Sequence, residues 1–225
     1  MHELELLEER IGGRWTGIAF HDDHGPNENL AERPMRLCEA IKQSYTQPVV
    51  LTRDLISCPG ALRSLGWTPR VDDTLAQKIA ETMGSKLGTA KKLVTKTPRL
   101  ERGASVTVGR NNVPDIVVSY AQPEAAMRLV RLWQQVHGAD LNIAASSVMA
   151  ICGNVVARAH MTGQISLSFG CPDSRQYGAI SRDRLVIGLP THLVSDLFGV
   201  ENGQVRADSP CSADEDKNSR SIPNF

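Results

Sequence analysis

No two cysteines in this chain stand three residues apart, although it contains five of them. The Cys-x-x-Cys pair that marks most structural zinc sites and ferredoxin-type clusters is therefore absent. Glycine-rich phosphate loops of the Walker and dinucleotide types are missing as well, and so is Gly-x-Ser-x-Gly. Nucleotide binding through those loops and a hydrolase nucleophile elbow have no support. No sign of charge predominates, with Lys+Arg and Asp+Glu both at 25, so no global field draws the chain to nucleic acid or an anionic membrane. No apolar run approaches the roughly 20 residues that cross a bilayer. The opening MHELELLEERIGG is acidic and amphipathic, without the basic start, apolar centre and small-residue cleavage site of a secretory signal. A cytoplasmic location is the expectation. In that compartment cysteines more often serve as metal ligands or catalytic groups than as disulfides.

What is present is a chain of 225 residues with 41% apolar content, enough to bury a sizeable core. Patterning predicts strands at 15–20, 48–52, 105–108, 115–120, 141–145, 165–169 and 184–188. Helices are expected over 3–10, from Pro34 past Ile41, after Pro59, over 72–83 and 86–96, from Pro123 to a Gly138 cap, and from Pro190 to Leu197. Asp72 and Ser85 are the expected N-caps of the middle pair. Ala126, Met127, Val130, Trp133 and Val136 form the expected apolar face of the helix after Pro123. Residues 147–159 read as helical or mixed. The alternation implies an α/β or α+β fold: one globular domain over 1–199, a mixed sheet flanked by helices, and a polar, disordered tail over 200–225.

Four of the cysteines form two similar stretches. Cys38 and Cys58 are twenty positions apart, Cys152 and Cys171 nineteen, and each stretch closes at Cys-Pro. Cys211 falls in the tail and reads as incidental. Cys38 and Cys152 also fit as small buried hydrophobes. Cys58 and Cys171 fit that role badly: with Pro at the first helical position the cysteine becomes the N-cap, where backbone N–H groups and the helix dipole favour a thiolate. The loop His21-Asp-Asp-His24 offers donors too, but in one compact turn. His160, eight residues after Cys152, reads as a ligand, a proton carrier or a surface histidine. Arg175, four after Cys171, suits an anionic substrate, a cluster's charge or a plain salt bridge. Asn154 and Asp173 are candidates to stand beside the site and orient its ligands.

A set of short motifs runs in order through the chain. These are Met35-Arg-Leu-Cys38, Cys58-Pro-Gly-Ala61 followed by Leu65-Gly66, Pro114-Asp-Ile-Val-Val118, and Glu124-Ala-Ala-Met-Arg-Leu129. They continue with Cys152 and a polar residue two on, Thr162-Gly163, Ser168-Phe-Gly-Cys171 with Arg175, and Ile187-Gly-Leu-Pro190. In this order the chain resembles the ArCR family, a family without an assigned reaction found often in archaea and anaerobic bacteria. The resemblance spans roughly residues 15 to 198 and takes in Cys38, Cys58, Cys152 and Cys171, but not Cys211. Phe169 stands where Leu is more usual, and Pro172-Asp173 where the family has a Gly-containing turn.

The expectation is a metal centre on Cys38, Cys58, Cys152 and Cys171, first a [4Fe–4S] cluster for electron transfer, cluster carriage or a cluster-dependent reaction. The alternatives are a structural zinc site on the same thiols and a metal-free redox enzyme using Cys58 or Cys171 as a low-pKa nucleophile. The partner expected for the first reading is a redox or metallocluster-handling protein, with neither nucleic acid nor membrane.

Overall fold

A computed structural model of the chain describes residues 3–23, 28–70, 72–101, 103–110, 113–201 and 204–205. His24, Cys211 and everything from residue 206 onward lie outside the described residues, and with them part of the candidate His-Asp loop and most of the expected tail.

Strands β1 (Trp15–His21), β2 (Val49–Thr52), β3 (Ser105–Gly109), β4 (Ile116–Ala121), β5 (Ser166–Ser168) and β6 (Leu185–Pro190) build one sheet in the order β2-β3-β1-β4-β6-β5. All of its pairings are antiparallel; among the described residues, parallel contact is limited to two isolated bridges, Leu30 with Val50 and Met35 with Ile56. The fold is therefore α+β. Both faces of the sheet are covered, which is why its strands read as near-continuous apolar runs. In β4, Ile116 and Val118 face one core while Val117 faces the other.

On the first face lie α2 (Leu37–Gln43), α3 (Pro59–Ser64), α4 (Asp73–Met83), α5 (Leu87–Lys96) and a π-helix over Cys152–Ala157 that runs into α7 (Arg158–Thr162). On the second lie α1 (Glu3–Arg10), α6 (Pro123–His137) and α9 (Thr191–Phe198). The short α8 (Pro172–Tyr177) packs on α2. Where the polar tail was expected to begin, Val200–Glu201 (β7) pairs with Gln204–Val205 (β8).

Several boundaries differ from the sequence reading, each for a local reason. The helix expected from Pro34 begins at Leu37, because Met35 uses its N–H on Leu55 O (2.9 Å) and its carbonyl on Ser57 N (3.0 Å). Asp72 caps α4 as expected, accepting from Leu75 N. Ser85 does not cap α5; its N–H still reaches back to Ala80 O at 2.9 Å, and Lys86 takes the capping position. Helix α6 buries Ala125, Ala126, Leu129 and Leu132 and leaves Met127 54% exposed. The small alanines let the helix axis approach the sheet, which turns the expected face partly outward. Residues 141–145 form no strand: only Leu141 packs on a core, and 142–145 are exposed irregular chain.

Helix α1 is stapled to the sheet by one carboxylate. Glu8 accepts from Trp15 N at 3.0 Å and from both terminal nitrogens of Arg110, at 2.5 and 2.9 Å. Partial burial opposes ionisation of Glu8, but the Arg110 and Trp15 hydrogen bonds and the charges of Arg110 and Arg14 outweigh it, so its pKa lies below the usual 4.5. The stability this confers is complete above the unfolded-state value and is lost as the pH falls through the lower folded value. Urea unfolding between about pH 3 and 6 should therefore show a loss on acidification that Glu8→Gln flattens.

Candidate functional site

Both Cys-Pro corners fold as their local chemistry dictates. Cys58 is the N-cap of α3 and Cys171 the N-cap of α8, each with extended backbone and Pro in the first turn. The Gly60 and Ala61 N–H groups face the Cys58 sulfur. At the other corner Ser174 Oγ accepts from Cys171 N and donates to Cys171 O, both at 2.8 Å. Cys38 lies on α2, where its carbonyl accepts from the Tyr120 hydroxyl at 2.8 Å. Cys152 opens the π-helix. Four free thiols thus come from four separate elements; Cys38 and Cys152 are buried, Cys58 and Cys171 half-buried.

The π-helix is a rare element, often met at functional sites. Its wide turns are visible in Asn154 N to Met149 O (3.1 Å) and Val156 N to Ile151 O (2.8 Å). Asn154 secures its start by donating Nδ2–H to Val148 O at 2.9 Å. Its packing depends on glycine. A Cβ on Gly153 would fall 2.2 Å from Thr97 Cγ2, and one on Gly188 of β6 would fall 2.5 Å from Val155 Cγ1. A Cβ on Gly60 would sit 2.9 Å from Met149 Cγ, 3.7 Å from Cys58 Sγ and 3.8 Å from Cys152 Sγ. Gly60 therefore lets Met149 close on α3, with the Cys58 and Cys152 sulfurs both beside this one backbone position.

Electrostatics tie all four thiols together. Burial first, then the charges of Cys58 and Cys171, push Cys38 up to about 12, against the pull of Arg36 and the Glu39 N–H. Burial raises Cys58 too, opposed by the Ala61 and Gly60 N–H groups and Arg36 and reinforced by Cys171. Cys152 is driven well above its ordinary value by burial, Cys58, Cys171 and Cys38, with the Ser64 hydroxyl acting against them. Each thiolate would thus repel the others. The low-pKa thiolate expected at Cys58 does not arise, because desolvation outweighs the N-cap and the neighbouring arginine.

Two guanidiniums flank the group, and the sequence reading missed both. Arg36 pairs with Asp173, stacks 4.0 Å over the Tyr177 ring, and has its charge favoured by Cys58. Arg63 on α3 is 0% exposed. Its Nη1 donates to Thr97 O at 2.7 Å and Pro98 O at 3.1 Å, while its Nε and Nη2 are buried without partners. Beyond burial, the groups acting on it are Arg99 and Arg70, which disfavour its charge, and Cys152, which favours it. A basic residue at this point of a short helix carries no sequence signal of burial.

The remaining candidates separate. Asn154 bonds Val148 O and the Arg158 guanidinium, and Asp173 pairs with Arg36. Arg175 is engaged on loop carbonyls, Phe169 O at 2.6 Å, Arg184 O at 3.2 Å and Ser181 O. His160 is exposed and packs edge-on against Phe20, with ring centroids 4.7 Å apart. His21 meets Thr107 Oγ1 at 2.7 Å. Among the described residues no group of three or more His, Cys, Asp or Glu side chains is arranged to hold a metal ion as it stands. The four thiols are near enough to influence one another's charge.

The family profile described as Uncharacterised ArCR matches residues 16–199. The uncharacterized protein MJ0308 of Methanocaldococcus jannaschii is 26% identical over 172 residues, covering 72% of this chain and 74% of that protein. No solved structure matches the chain. Among the described residues no helix is long and apolar enough to cross a membrane.

The close packing of the π-helix is open to a direct test. Gly153→Ala should cost about 1–3 kcal/mol of stability, read by urea unfolding. Adding Thr97→Ser should recover part of the loss, since it removes the methyl that is struck and keeps the hydroxyl bond to Leu93 O at 2.9 Å.

Proposed function

The chain belongs to the uncharacterised ArCR family, and from that premise and the gathered thiols we propose a cytoplasmic protein that binds a [4Fe–4S] cluster through Cys38, Cys58, Cys152 and Cys171. The observation that carries this reading is Arg63, a buried guanidinium with two unpartnered nitrogens and with Cys152 as the group that favours its charge. A buried cation without an anion is costly. Neutral thiols supply no anion, and bare thiolates would repel one another. A cluster held by four thiolates would remove both difficulties: its iron would neutralise most of the thiolate charge, and Arg63, through Cys152, and Arg36, through Cys58, would offset what remains. Gly60, beside both the Cys58 and the Cys152 sulfur, has no side chain to come between them.

When bound, such a cluster supplies a one-electron carrier. The chain's own residues would hold it, shield it and tune its charge. With a thiolate for every iron, no position is left for a substrate, which favours electron transfer or cluster carriage over a cluster-dependent reaction. Cys38 and Cys152 would form the buried side, and the half-buried Cys58 and Cys171 the side nearest solvent, where a redox or cluster-handling protein would meet it.

Anaerobic purification followed by metal and sulfide analysis tests the proposal. The expected result is iron and acid-labile sulfide in equal amounts, with a broad visible absorption that bleaches on reduction and is lost in Cys58→Ser or Cys171→Ser. Zinc without sulfide would make the centre a structural zinc site. A colourless protein that takes up neither metal, even after reconstitution, would overturn the shared centre.

Arg63 gives a second test. In the loaded protein, Arg63→Gln removes a buried positive charge beside Cys152, so the reduction potential should move to more negative values and cluster retention should fall. A folded Arg63→Gln protein with unchanged potential would rule out charge compensation by this residue.

A further inference from the structure

A second site lies at the far end of the π-helix. A cleft of about 350 Å³ opens between the irregular 142–144 segment, α7 and the edge strand β5, and is walled by Arg158, Thr162, Gln164 and Ser166 with Ile143 and Ile165. That volume lies within the range of small-molecule sites. Two polar atoms on its walls, Arg158 Nε and Ser166 Oγ, are buried and have no partner in the protein. Ser166 as a whole is 2% exposed. Leaving one such group unpaired costs about 1–3 kcal/mol, so two on one cleft are an expensive arrangement for a purely structural wall.

The chemistry of the walls selects the ligand. Guanidinium nitrogens only donate, and a serine hydroxyl can donate alongside them. Among the described residues no carboxylate lines the cleft, so no anionic side chain there neutralises the cation. The guanidinium is also held in place: its Nη2 donates to Asn154 Oδ1 at 3.1 Å, and Asn154 is itself tied to Val148 O. Thr162 has its hydroxyl engaged on Arg158 O at 2.8 Å; Asn142 and Gln164 add amide groups to the walls, and Arg158 supplies the one charge among the described lining residues. Ile143, Ala144 and Ile165 add an apolar wall beside them.

We propose that this cleft binds a short aliphatic carboxylate, with the carboxylate on Arg158 and Ser166 and the carbon chain against Ile143 and Ile165. The site is separate from the thiol centre, and its ligand would bind whether or not that centre holds metal.

The test is a titration of the full-length protein with butyrate at constant ionic strength, followed by amide chemical shifts, with inorganic phosphate and butylammonium run in parallel. Butyrate should give saturable shifts centred on residues 142–144, 158–162 and 165–166, and butylammonium none. Arg158→Gln and, independently, Ser166→Ala should each weaken butyrate binding about tenfold or more, with the rest of the spectrum unchanged. Saturation by phosphate and not by butyrate would replace the carboxylate with an inorganic anion and overturn the proposal. Absence of saturable butyrate shifts, or equal binding by the Ser166→Ala protein, would overturn it too.

Discussion

The π-helix Cys152–Ala157 is pressed between two surfaces that leave no room for a side chain where they meet it. On one side Gly153 lies against Thr97 and Ser64; on the other, Val155 lies against Gly188 in the sheet. Gly60 completes the arrangement by letting α3 approach Met149, which brings the Cys58 corner to Cys152. A methyl at Gly153 or Gly188 would fall under 3 Å from a neighbouring atom. The rest of the thiol group depends on this clamp. Cys38 and Cys171 join through the packing of α2 on α8, where Gly178 again lies close, an added Cβ falling 3.2 Å from Cys38 Cβ.

Bringing four thiols together in a mostly buried place creates an electrostatic problem that the protein alone leaves unbalanced. Burial and mutual repulsion disfavour the charged form of Cys38, Cys58 and Cys152. Arg63 is buried as well, with the Thr97 and Pro98 carbonyls as its hydrogen-bond partners among the described residues. Neither feature is economical in a purely structural core, where an apolar residue at position 63 would cost less. Both become consistent once the thiols ionise onto a cation-rich centre. That shared imbalance, more than the count of cysteines, is the physical basis of the metal proposal.

The same helical segment joins this centre to the cleft at Arg158. Asn154 accepts from Arg158 and donates to Val148, so one amide links the cleft to the turn that carries Met149 toward Gly60. Met149 itself adopts a positive φ of 45°, unusual for a residue with a side chain. The two sites thus lie at opposite ends of one tightly held element. The two proposals rest on different atoms, Arg63 with the thiols in one case and Arg158 with Ser166 in the other.

Much of the local structure was legible in the sequence, because its causes are local. Proline after cysteine sets the backbone for a first helical turn and makes Cys58 and Cys171 N-caps; Asp72 caps α4 through its own carboxylate; Gly138 ends α6 in a left-handed conformation. The ordered motifs were enough to indicate the family. What only the tertiary structure decided is set by atoms distant in the chain. The antiparallel strand order, the face that α6 buries, the exposure of 142–145 and the wide turns after Cys152 follow from packing partners that no window of sequence contains. Arg63 is the sharpest case: by sequence it is an ordinary basic residue on a short helix, and only the closure of α3 against Thr97 and Cys152 turns it into a buried charge. By itself the sequence determined which residues are able to form thiolates, caps and turns. The fold decided which of them meet, because burial and charge act through space and not along the chain.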